Sequence, residues 1–261
     1  MTMELGISGQ TALVLGGGKG IGRGISAALA AEGVRVILTS RTLAEAKAAA
    51  AGIGLDCVGL ACDTADLASV NALADTVEAE FGGAGILVLN SGGPAAGPAT
   101  GVEMAAYATA FQQLFMGPVT LAMRLLPKMR AQGYGRIMTV GSSGMVEPIA
   151  NLAVSNAIRP ATAGWSKTLA REVGADGVTV NVLIPGRIDT DRVAQIDGGA
   201  AARTGQSLDA VRAQSWGRIP VGRYGTPEEF GAAAAFLAGR SAGFITGSFL
   251  RIDGGQITSI G

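Results

Sequence analysis

A cluster of glycines around one lysine is the first stretch of the chain with clear chemical potential. Residues 16–22 read Gly-Gly-Gly-Lys-Gly-Ile-Gly and follow an apolar run that ends at Leu15. Glycine permits a tight turn and lets backbone amides approach a phosphate, and a helix that starts there adds unpaired N–H groups. This pattern predicts a dinucleotide site, with a purely structural turn as the alternative. The predicted contacts are Gly16, Gly18, Lys19, Gly20, Ile21 and Gly22.

The tip of the second apolar run distinguishes the two nicotinamide coenzymes. An acidic residue there would bind the ribose hydroxyls of NAD(H), but this chain has Ser40 and Arg41. A guanidinium suits the 2′-phosphate of NADP(H), and Lys19 adds a second positive charge nearby. We therefore predict contacts at Ser40 and Arg41 and a preference for NADP(H), with NAD(H) as the alternative coenzyme. An exposed loop arginine is the alternative for Arg41.

Composition excludes several classes of chemistry. The chain has no histidine, so imidazole-based catalysis and imidazole–zinc sites are absent, and we predict no metal site. Its two cysteines, Cys57 and Cys62, lie in or beside one apolar run and are predicted to be buried thiols, which suits a reducing, cytoplasmic location. Twenty basic residues balance twenty acidic ones, which argues against nucleic-acid binding. We see no signal peptide and no membrane span.

Short β-branched runs alternate with longer alanine- and leucine-rich stretches along the whole chain. The runs are almost continuously apolar, as is typical of strands buried on both faces. The repeated alternation predicts a doubly wound (Rossmann) α/β fold: a seven-stranded parallel sheet with helices on both faces. No linker or repeat divides residues 1–261, so we expect a single domain. The predicted strands are Thr11–Leu15, Val34–Thr39, Cys57–Ala61, Ile86–Asn90, Arg136–Val140, Val178–Ile184 and Ser248–Ile252.

Two segments break this pattern. Residues 91–101 are rich in glycine and proline, and residues 189–220 form a long stretch without a strand run. We expect the second to be a long loop that acts as a lid over a small-molecule substrate, with a solvated surface excursion as the alternative. Between residues 187 and 223 the chain has six arginines and four aspartates, a slight positive bias that is consistent with an anionic substrate and equally with ordinary surface charge.

These residues, with motifs further along the chain, resemble the short-chain dehydrogenase/reductase family. The resemblance extends from about Leu5 to Gly255 and, within the family, is closest to the 3-oxoacyl-acyl-carrier-protein reductase type. Its matching motifs are an aspartate after the third strand, an Asn-Ser-Gly after the fourth and a Pro-Gly-Arg-Ile-Asp-Thr after the sixth. The resemblance implies that these motifs contact the adenine, the ribose and the nicotinamide. The implied residues are Asp63, Thr64, Asn90, Gly92, Pro185, Gly186, Ile188 and Thr190.

The resemblance also implies a catalytic set of Asn, Ser, Tyr and Lys, of which this chain retains one. In the family, the tyrosine gives a proton to the carbonyl oxygen as hydride reaches the carbon, and the lysine lowers the tyrosine pKa. Ser142 falls on the family serine. Counting from the flanking motifs places Leu114, Ser155 and Arg159 at the asparagine, tyrosine and lysine.

These replacements alter the acid–base chemistry of the site. A serine hydroxyl is a far weaker acid than a phenol, whose pKa is about 10. Arginine can hold an anion but cannot readily donate a proton, and leucine cannot hold a water. Pro160 also disfavours helical geometry at Arg159, so we expect the helix to kink there or to begin later.

Two functions remain open from the sequence. In the first, the chain transfers hydride between NADP(H) and a ketone or β-keto thioester. The proton then comes from Ser142, Ser155, water or the substrate. Arg159 would hold the ribose, an oxyanion or an anionic group of the substrate. In the second, it is a catalytically silent member that binds coenzyme as a sensor or a structural subunit. The retained nicotinamide motif favours the first. A helix cap for Ser155 and a surface salt bridge for Arg159 are the structural alternatives.

The resemblance finally implies a homotetramer or homodimer. Family members associate through the helices after the fourth and fifth strands and through the last strand. The apolar segments Phe111–Leu126 and Ala161–Leu169 fit burial of this kind.

Overall fold

The strands predicted from the apolar runs form one parallel sheet. The computed structural model describes residues 4–260, and its sheet has the order β3-β2-β1-β4-β5-β6-β7. Every strand begins and ends within one residue of its predicted bounds. The strands are β1 (Thr11–Val14), β2 (Arg35–Ser40), β3 (Cys57–Ala61), β4 (Ile86–Leu89), β5 (Gly135–Val140), β6 (Val178–Pro185) and β7 (Phe249–Ile252).

Helices cover both faces of the sheet, which confirms the doubly wound fold. The described residues contain α1 (Gly20–Ala31), α2 (Leu43–Ile53), α3 (Leu67–Phe81), α4 (Met104–Phe111), α5 (Gly117–Ala131), α6 (Ala153–Val173), α7 (Asp191–Thr204), α8 (Leu208–Trp216) and α9 (Pro227–Ala238). Helices α1, α2 and α9 bury their apolar sides on one face, whereas α3, α5 and α6 do so on the other. A π-helical turn, Gln112–Met116, joins α4 to α5.

Alternation of side chains between the two faces explains why the strand runs are continuously apolar. In β2, Val36 and Leu38 pack into the core on the α1 face, whereas Ile37 packs into the core on the α3 face. Successive side chains of a strand point to opposite faces, and here both faces are covered. All three side chains are fully buried.

Helix α9 braces the start of α1, where the glycine-rich turn ends. Thr226 and Glu229 form a complete capping box at the start of α9, and Arg223 holds Glu229 with two hydrogen bonds of 2.9 and 2.6 Å. Arg223 lowers the pKa of Glu229 to about 2. The two helices touch so closely that a Cβ at Gly24 would lie 2.1 Å from the Pro227 carbonyl oxygen. Helix α9 therefore holds the start of α1, and with it the end of the glycine-rich turn, in place.

The expectation of a long loop over residues 189–220 is wrong, because most of that segment is helical. Thr190 caps α7 through its side chain, and Ser207 caps α8 in the same way. The polar capping residues at both positions are the sequence signal that indicates these two helices. Among residues 4–260, no helix is long and apolar enough to cross a bilayer.

Candidate active site

The candidate site begins where the strand order reverses, at the carboxyl edge between β1 and β4. Asn90, directly after β4, donates from its Nδ2 to the Leu15 and Gly16 carbonyl oxygens at 3.1 and 3.3 Å. On the other side of β1, the Gly16 amide donates to Thr39 Oγ1 at 3.2 Å. Ligands of open parallel sheets bind at such a switch point.

The glycine-rich turn has no space for side chains. A Cβ at Gly22 would lie 2.1 Å from the Gly16 oxygen, and one at Gly18 would lie 2.7 Å from Ser40 Oγ. Gly16 and Gly20 adopt positive φ angles of 59° and 49°. Because α1 begins at Gly20, its first amides are available to an anion. This turn fits a dinucleotide pyrophosphate.

Neighbouring elements meet the turn at several of the predicted positions. Ser40 approaches Gly18, and the Thr190 methyl group would lie 3.1 Å from a Cβ at Gly20. Ile21 packs partly buried against the core. The turn is thus framed by the ends of β2 and β6.

The two predicted phosphate cations stand in different electrostatic surroundings. Arg41 is exposed and makes no hydrogen bond or ion pair within residues 4–260. Lys19 instead pairs with Glu45 at 3.2 Å, a contact that lowers the pKa of the Glu45 carboxyl. The guanidinium of Arg41 therefore has no direct partner in the described chain, whereas Lys19 already has a carboxylate partner.

Asp63 and Thr64 lie in the turn after β3, at the same edge of the sheet. The Asp63 carboxylate accepts from the Ala65 amide at 3.0 Å, which fixes the turn locally. The backbone of Thr64 packs against Gly117 at the start of α5, where a Cβ would lie 2.0 Å from the Thr64 oxygen.

The segment from Pro185 to Thr190 continues β6 into the first turn of α7. Gly186 lies so close to β7 that its Cβ would be 2.6 Å from the Asp253 Cα. Ile188 is buried and forms a bridge with Gly225. The Thr190 hydroxyl accepts from the Val193 amide at 3.4 Å and donates to the Ile188 oxygen at 3.2 Å. This segment is held as a rigid edge beside the glycine turn.

Ser142 lies just after β5 and initiates a short 3₁₀ turn, Ser143–Met145. Its Oγ accepts from the Gly144 amide at 3.1 Å, which leaves its hydroxyl proton free to donate. The same loop is held by the C-terminal segment. There, Glu147 Oε1 accepts from the Thr258 amide and hydroxyl at 3.1 and 3.0 Å.

Ser155 lies in the first turn of α6 and is 7% exposed. Its hydroxyl has no hydrogen-bond partner within residues 4–260. It does not cap the helix, since Leu152 occupies the cap position. The helix-cap alternative for Ser155 is therefore wrong.

Arg159 lies one helical turn after Ser155, and its guanidinium binds main-chain oxygens. Nη1 donates to the Val140 oxygen at 2.8 Å and Nη2 to the Ser91 oxygen at 3.4 Å. Burial lowers the pKa of Arg159 to about 10, and the charge of Arg192 acts in the same direction. The group stays protonated at neutral pH and is not part of a surface salt bridge.

The expectation that the helix begins after Pro160 is wrong. Helix α6 begins at Ala153 and runs through Pro160 to Val173. The Arg159 carbonyl, which lies beside the proline, accepts from the Thr162 hydroxyl at 2.7 Å. Arg159 therefore projects from a continuous helix, as the resemblance to the family implied for the lysine position.

Leu114 lines a cavity of about 10 Å³ together with Arg159, Thr139 and Trp165. This volume is close to the minimum for one water molecule. Leu114 offers that space no polar atom. Its neighbour Gln113, on the same π-helical turn, donates from Nε2 to the Gly92 oxygen at 3.4 Å. Sequence counting missed Gln113, although π-helical turns are frequent at functional sites.

Two of the three tyrosines are held away from Ser155. Tyr134 lies before β5, at the opposite edge of the sheet, and donates to the Ala238 oxygen at 3.0 Å. Tyr224 donates to Asp197 at 2.9 Å. The third, Tyr107 on α4, packs against the small cluster that contains Leu114 and Val154, so it is the tyrosine that lies beside this part of the site.

A buried ion pair missed by sequence reasoning ties α7 to the segment before it. Asp197 is fully buried and accepts hydrogen bonds from Arg187 and Tyr224. The Arg187 guanidinium also lies 6.0 Å from the centre of the Tyr224 ring. Asp197 lies within α7, outside the motifs of the sequence, so no sequence pattern signals its role.

The two thiols and the acidic residues provide no further reactive group. Cys62 is buried, and burial raises its pKa to about 11; Cys57 is only partly buried, contrary to expectation. Within residues 4–260, no three Cys, Asp or Glu side chains are placed to hold a metal ion.

Comparison with known proteins identifies the family. A sequence profile described as Enoyl-(Acyl carrier protein) reductase matches residues 16–256. The 3-oxoacyl-acyl-carrier-protein reductase FabG of Escherichia coli is 33% identical over 254 residues, which cover 97% of this chain and 99% of that protein. This chain belongs to the short-chain dehydrogenase/reductase family. The resemblance inferred from the motifs is thereby confirmed.

Solved structures of this dehydrogenase/reductase family share the whole fold. L-sorbose reductase from Gluconobacter frateurii, solved with NADPH and L-sorbose, matches with a TM-score of 0.93 and 30% identity over 99% of this chain and 100% of that one. YwfH, an NADPH-dependent reductase involved in bacilysin biosynthesis, matches with a TM-score of 0.91 and 28% identity over 97% of this chain and 100% of that one. The preference for NADP(H) predicted from Arg41 agrees with both.

Proposed function

We propose that this dehydrogenase/reductase is an NADP(H)-dependent oxidoreductase of the ketoreductase type. It would act on a ketone, the corresponding alcohol or a β-keto thioester. The observation that carries the proposal is the complete coenzyme cradle, in which the Gly16–Gly22 turn is closed by Asn90 and flanked by an unpaired Arg41. The reductases that match over the full length support the same reaction type.

The catalytic side of the site would work without a phenol. A bound nicotinamide supplies or takes up the hydride. Ser142 and Ser155 offer hydroxyl groups that can orient a carbonyl, and Ser155 has no competing hydrogen bond. The fixed positive charge of Arg159 lowers the energy of an oxyanion, while a hydroxyl relay or water delivers the proton.

Titration of the purified protein with both reduced coenzymes tests the proposal first. We expect NADPH to bind about tenfold or more tightly than NADH, because only NADPH offers a phosphate to Arg41. Arg159→Ala should weaken NADPH consumption with any carbonyl substrate while leaving coenzyme binding in place. Tighter binding of NADH would overturn the coenzyme assignment, and binding of neither coenzyme would overturn the proposal.

A silent, coenzyme-binding role is the second candidate. It is favoured by the buried Ser155, which the resemblance to the family places at the position of the proton-donating tyrosine. A broad panel of ketones and thioesters without NADPH consumption, together with intact NADPH binding, would support a sensor or structural subunit. NADPH consumption with any member of the panel would exclude this second candidate.

We also propose a homotetramer or homodimer. Phe244 is fully exposed and Phe249 is 43% exposed at the open edge formed by β7. On the helices after β4, Met104 and Met123 are also exposed. Much of the Phe111–Leu126 run is buried in the chain's own core, so these exposed residues carry the argument. A monomeric mass by light scattering at micromolar concentration would contradict it.

A further inference from the structure

Three side chains from three elements hold the segment Ser91–Pro94, which follows β4 beside the candidate site. Arg159 donates to the Ser91 oxygen, and Gln113 donates to the Gly92 oxygen, each at 3.4 Å. Arg192, in the first turn of α7, donates to the Pro94 oxygen at 2.8 Å. The Arg192 guanidinium also lies close to Gly93, where a Cβ would be 3.4 Å from its Nη2. Two guanidinium groups therefore meet one short segment.

Neither guanidinium has an acidic partner within residues 4–260. Arg159 and Arg192 bond only to main-chain oxygens, and the neighbouring Asp191 forms no ion pair with Arg192. Elsewhere in the fold, Arg23, Arg136 and Arg240 also bond to main-chain oxygens. Five other arginines pair with carboxylates, namely Arg35, Arg124, Arg130, Arg187 and Arg223. Within the described chain, Arg159 and Arg192 are two unpaired guanidiniums that meet the same segment beside the candidate site. The pair is thus a local charge of two without a counter-charge.

The positions of these two charges are set by the protein itself. Arg159 is partly buried and fixed by the ends of β4 and β5, and Arg192 is half-buried at the start of the helix that faces it. Like charges in such surroundings repel each other, and Arg192 accordingly contributes to the lowered pKa of Arg159. A bound anion would remove the repulsion and replace neutral acceptors with stronger charge-assisted ones.

We propose that Arg159 and Arg192 form a binding site for a carboxylate carried by the substrate. This inference rests on the proposed function and narrows its substrate class to oxo acids. A carboxylate is planar and accepts two hydrogen bonds from one guanidinium. The cavity beside Arg159 holds only about 10 Å³ and is not lined by Arg192, so the carboxylate would take the place of main-chain oxygens that the two guanidiniums now bind. Ser155 lies one turn before Arg159 on α6, which would bring a short oxo acid to the same part of the site.

Paired probes that differ only in charge test this proposal. Acetoacetate and methyl acetoacetate, and pyruvate and methyl pyruvate, are titrated at constant ionic strength into the full-length protein with and without NADPH. Saturation-transfer NMR measures their binding independently of turnover. We expect each acid to bind about tenfold more tightly than its ester, since one charged contact is worth roughly this factor.

Three variants test whether the preference for the acid over its ester depends on Arg159 and Arg192. Arg192→Met should reduce the preference for acid over ester to less than about twofold. Arg203→Met, an exposed arginine in the last turn of the same helix, should keep it. Arg159→Lys should retain part of the preference, because it keeps the charge but loses the planar fork.

The outcomes separate this inference from the proposed function. Equal binding of acid and ester, or an unchanged preference in Arg192→Met, overturns the carboxylate site even where NADPH binds. A stronger preference for dihydroxyacetone phosphate than for either acid also overturns it, in favour of a phosphate. Absence of NADPH binding overturns the proposed function, while the titration of the free protein still decides the carboxylate site.

Discussion

The two halves of the sheet's carboxyl edge are built by different means. Around β1 and β2, the site is made of backbone: glycines that exclude side chains, and amides at the start of α1. Around β5 and α6, it is made of side chains that project from an intact frame, namely Ser142, Ser155 and Arg159. Backbone cradles tolerate few changes, whereas side chains on a fixed frame can be exchanged. The replacements that the resemblance implies at Ser155 and Arg159 both fall in the second half.

Arg159 and Leu114 line the same small cavity in the second half. Arg159 reaches the Val140 and Ser91 oxygens, and the cavity holds about 10 Å³, close to the volume that one water needs. This part of the site is therefore closely packed around the two side chains.

The largest effect is expected from filling the backbone cradle. Gly22→Ala places a Cβ 2.1 Å from the Gly16 oxygen, so NADPH affinity should fall roughly 1,000-fold, about 4 kcal/mol. Calorimetry measures the affinity, and circular dichroism checks the fold. Gly52→Ala on α2 is the matched control, because its Cβ would meet open space. Unchanged NADPH affinity in Gly22→Ala would contradict the backbone account of this half.

A change of similar size, but in stability, is expected at the ion pair behind α7. Asp197→Asn removes the charge of a fully buried carboxylate, leaves the partly exposed Arg187 without its ion-pair partner and should cost about 3 kcal/mol of unfolding free energy. Urea unfolding measures this loss. Asp209→Asn, an exposed position in the first turn of α8, should change stability by less than about 0.5 kcal/mol. Equal losses in the two variants would show that the buried pair does not fix α7.

A smaller and more selective effect is expected at the tip of β2. Arg41→Ala should weaken NADPH binding by about 10- to 50-fold and leave NADH binding within about twofold, because only the 2′-phosphate loses a charged contact. Lys47→Ala, at an exposed cation on α2, should change the affinity for NADPH and for NADH by less than about twofold. Parallel losses for both coenzymes would place Arg41 at the pyrophosphate instead.

The smallest effect is expected from pH in the ordinary range. Serine hydroxyls do not titrate there, and Arg159, with a pKa of about 10, is charged below that value and loses its charge above it. The turnover rate should therefore be flat from about pH 6 to 9 and fall only as the pH rises through about 10. Rate measurements at saturating NADPH test this. A step near pH 7 would reveal an acid that the serines and Arg159 do not supply.

The sequence predicted the fold in detail, because the fold depends on patterns along the chain. Continuous apolar runs mark buried strands, and glycine spacing marks the turn after β1. The roles assigned to the coenzyme and catalytic residues stay predictions, and the contacts of Arg159 could not be predicted. The partners of Arg159 are main-chain oxygens of β5 and the segment after β4, and no residue type signals them.

The remaining misses have a common physical cause. In the sequence, Arg192 is one of several arginines with no distinguishing motif. Its contact with the Pro94 oxygen depends on where α7 packs, which the sequence does not show. The helices within residues 189–220 have no strand-like apolar run, and the caps Thr190 and Ser207 are the signal that marks them in the sequence. Pro160 disfavours a helix locally, but α6 continues through it.

The contact between Glu147 and Thr258 has a practical consequence for anyone who handles this protein. It binds the segment around Thr258 to the loop that carries Ser142, and Ile257 packs beside Met145 and Val146. Shortening the chain after Gln256, or attaching a bulky fusion there, would loosen that loop while sparing the distant nucleotide cradle. Affinity handles are therefore better placed at the amino end when turnover is to be measured.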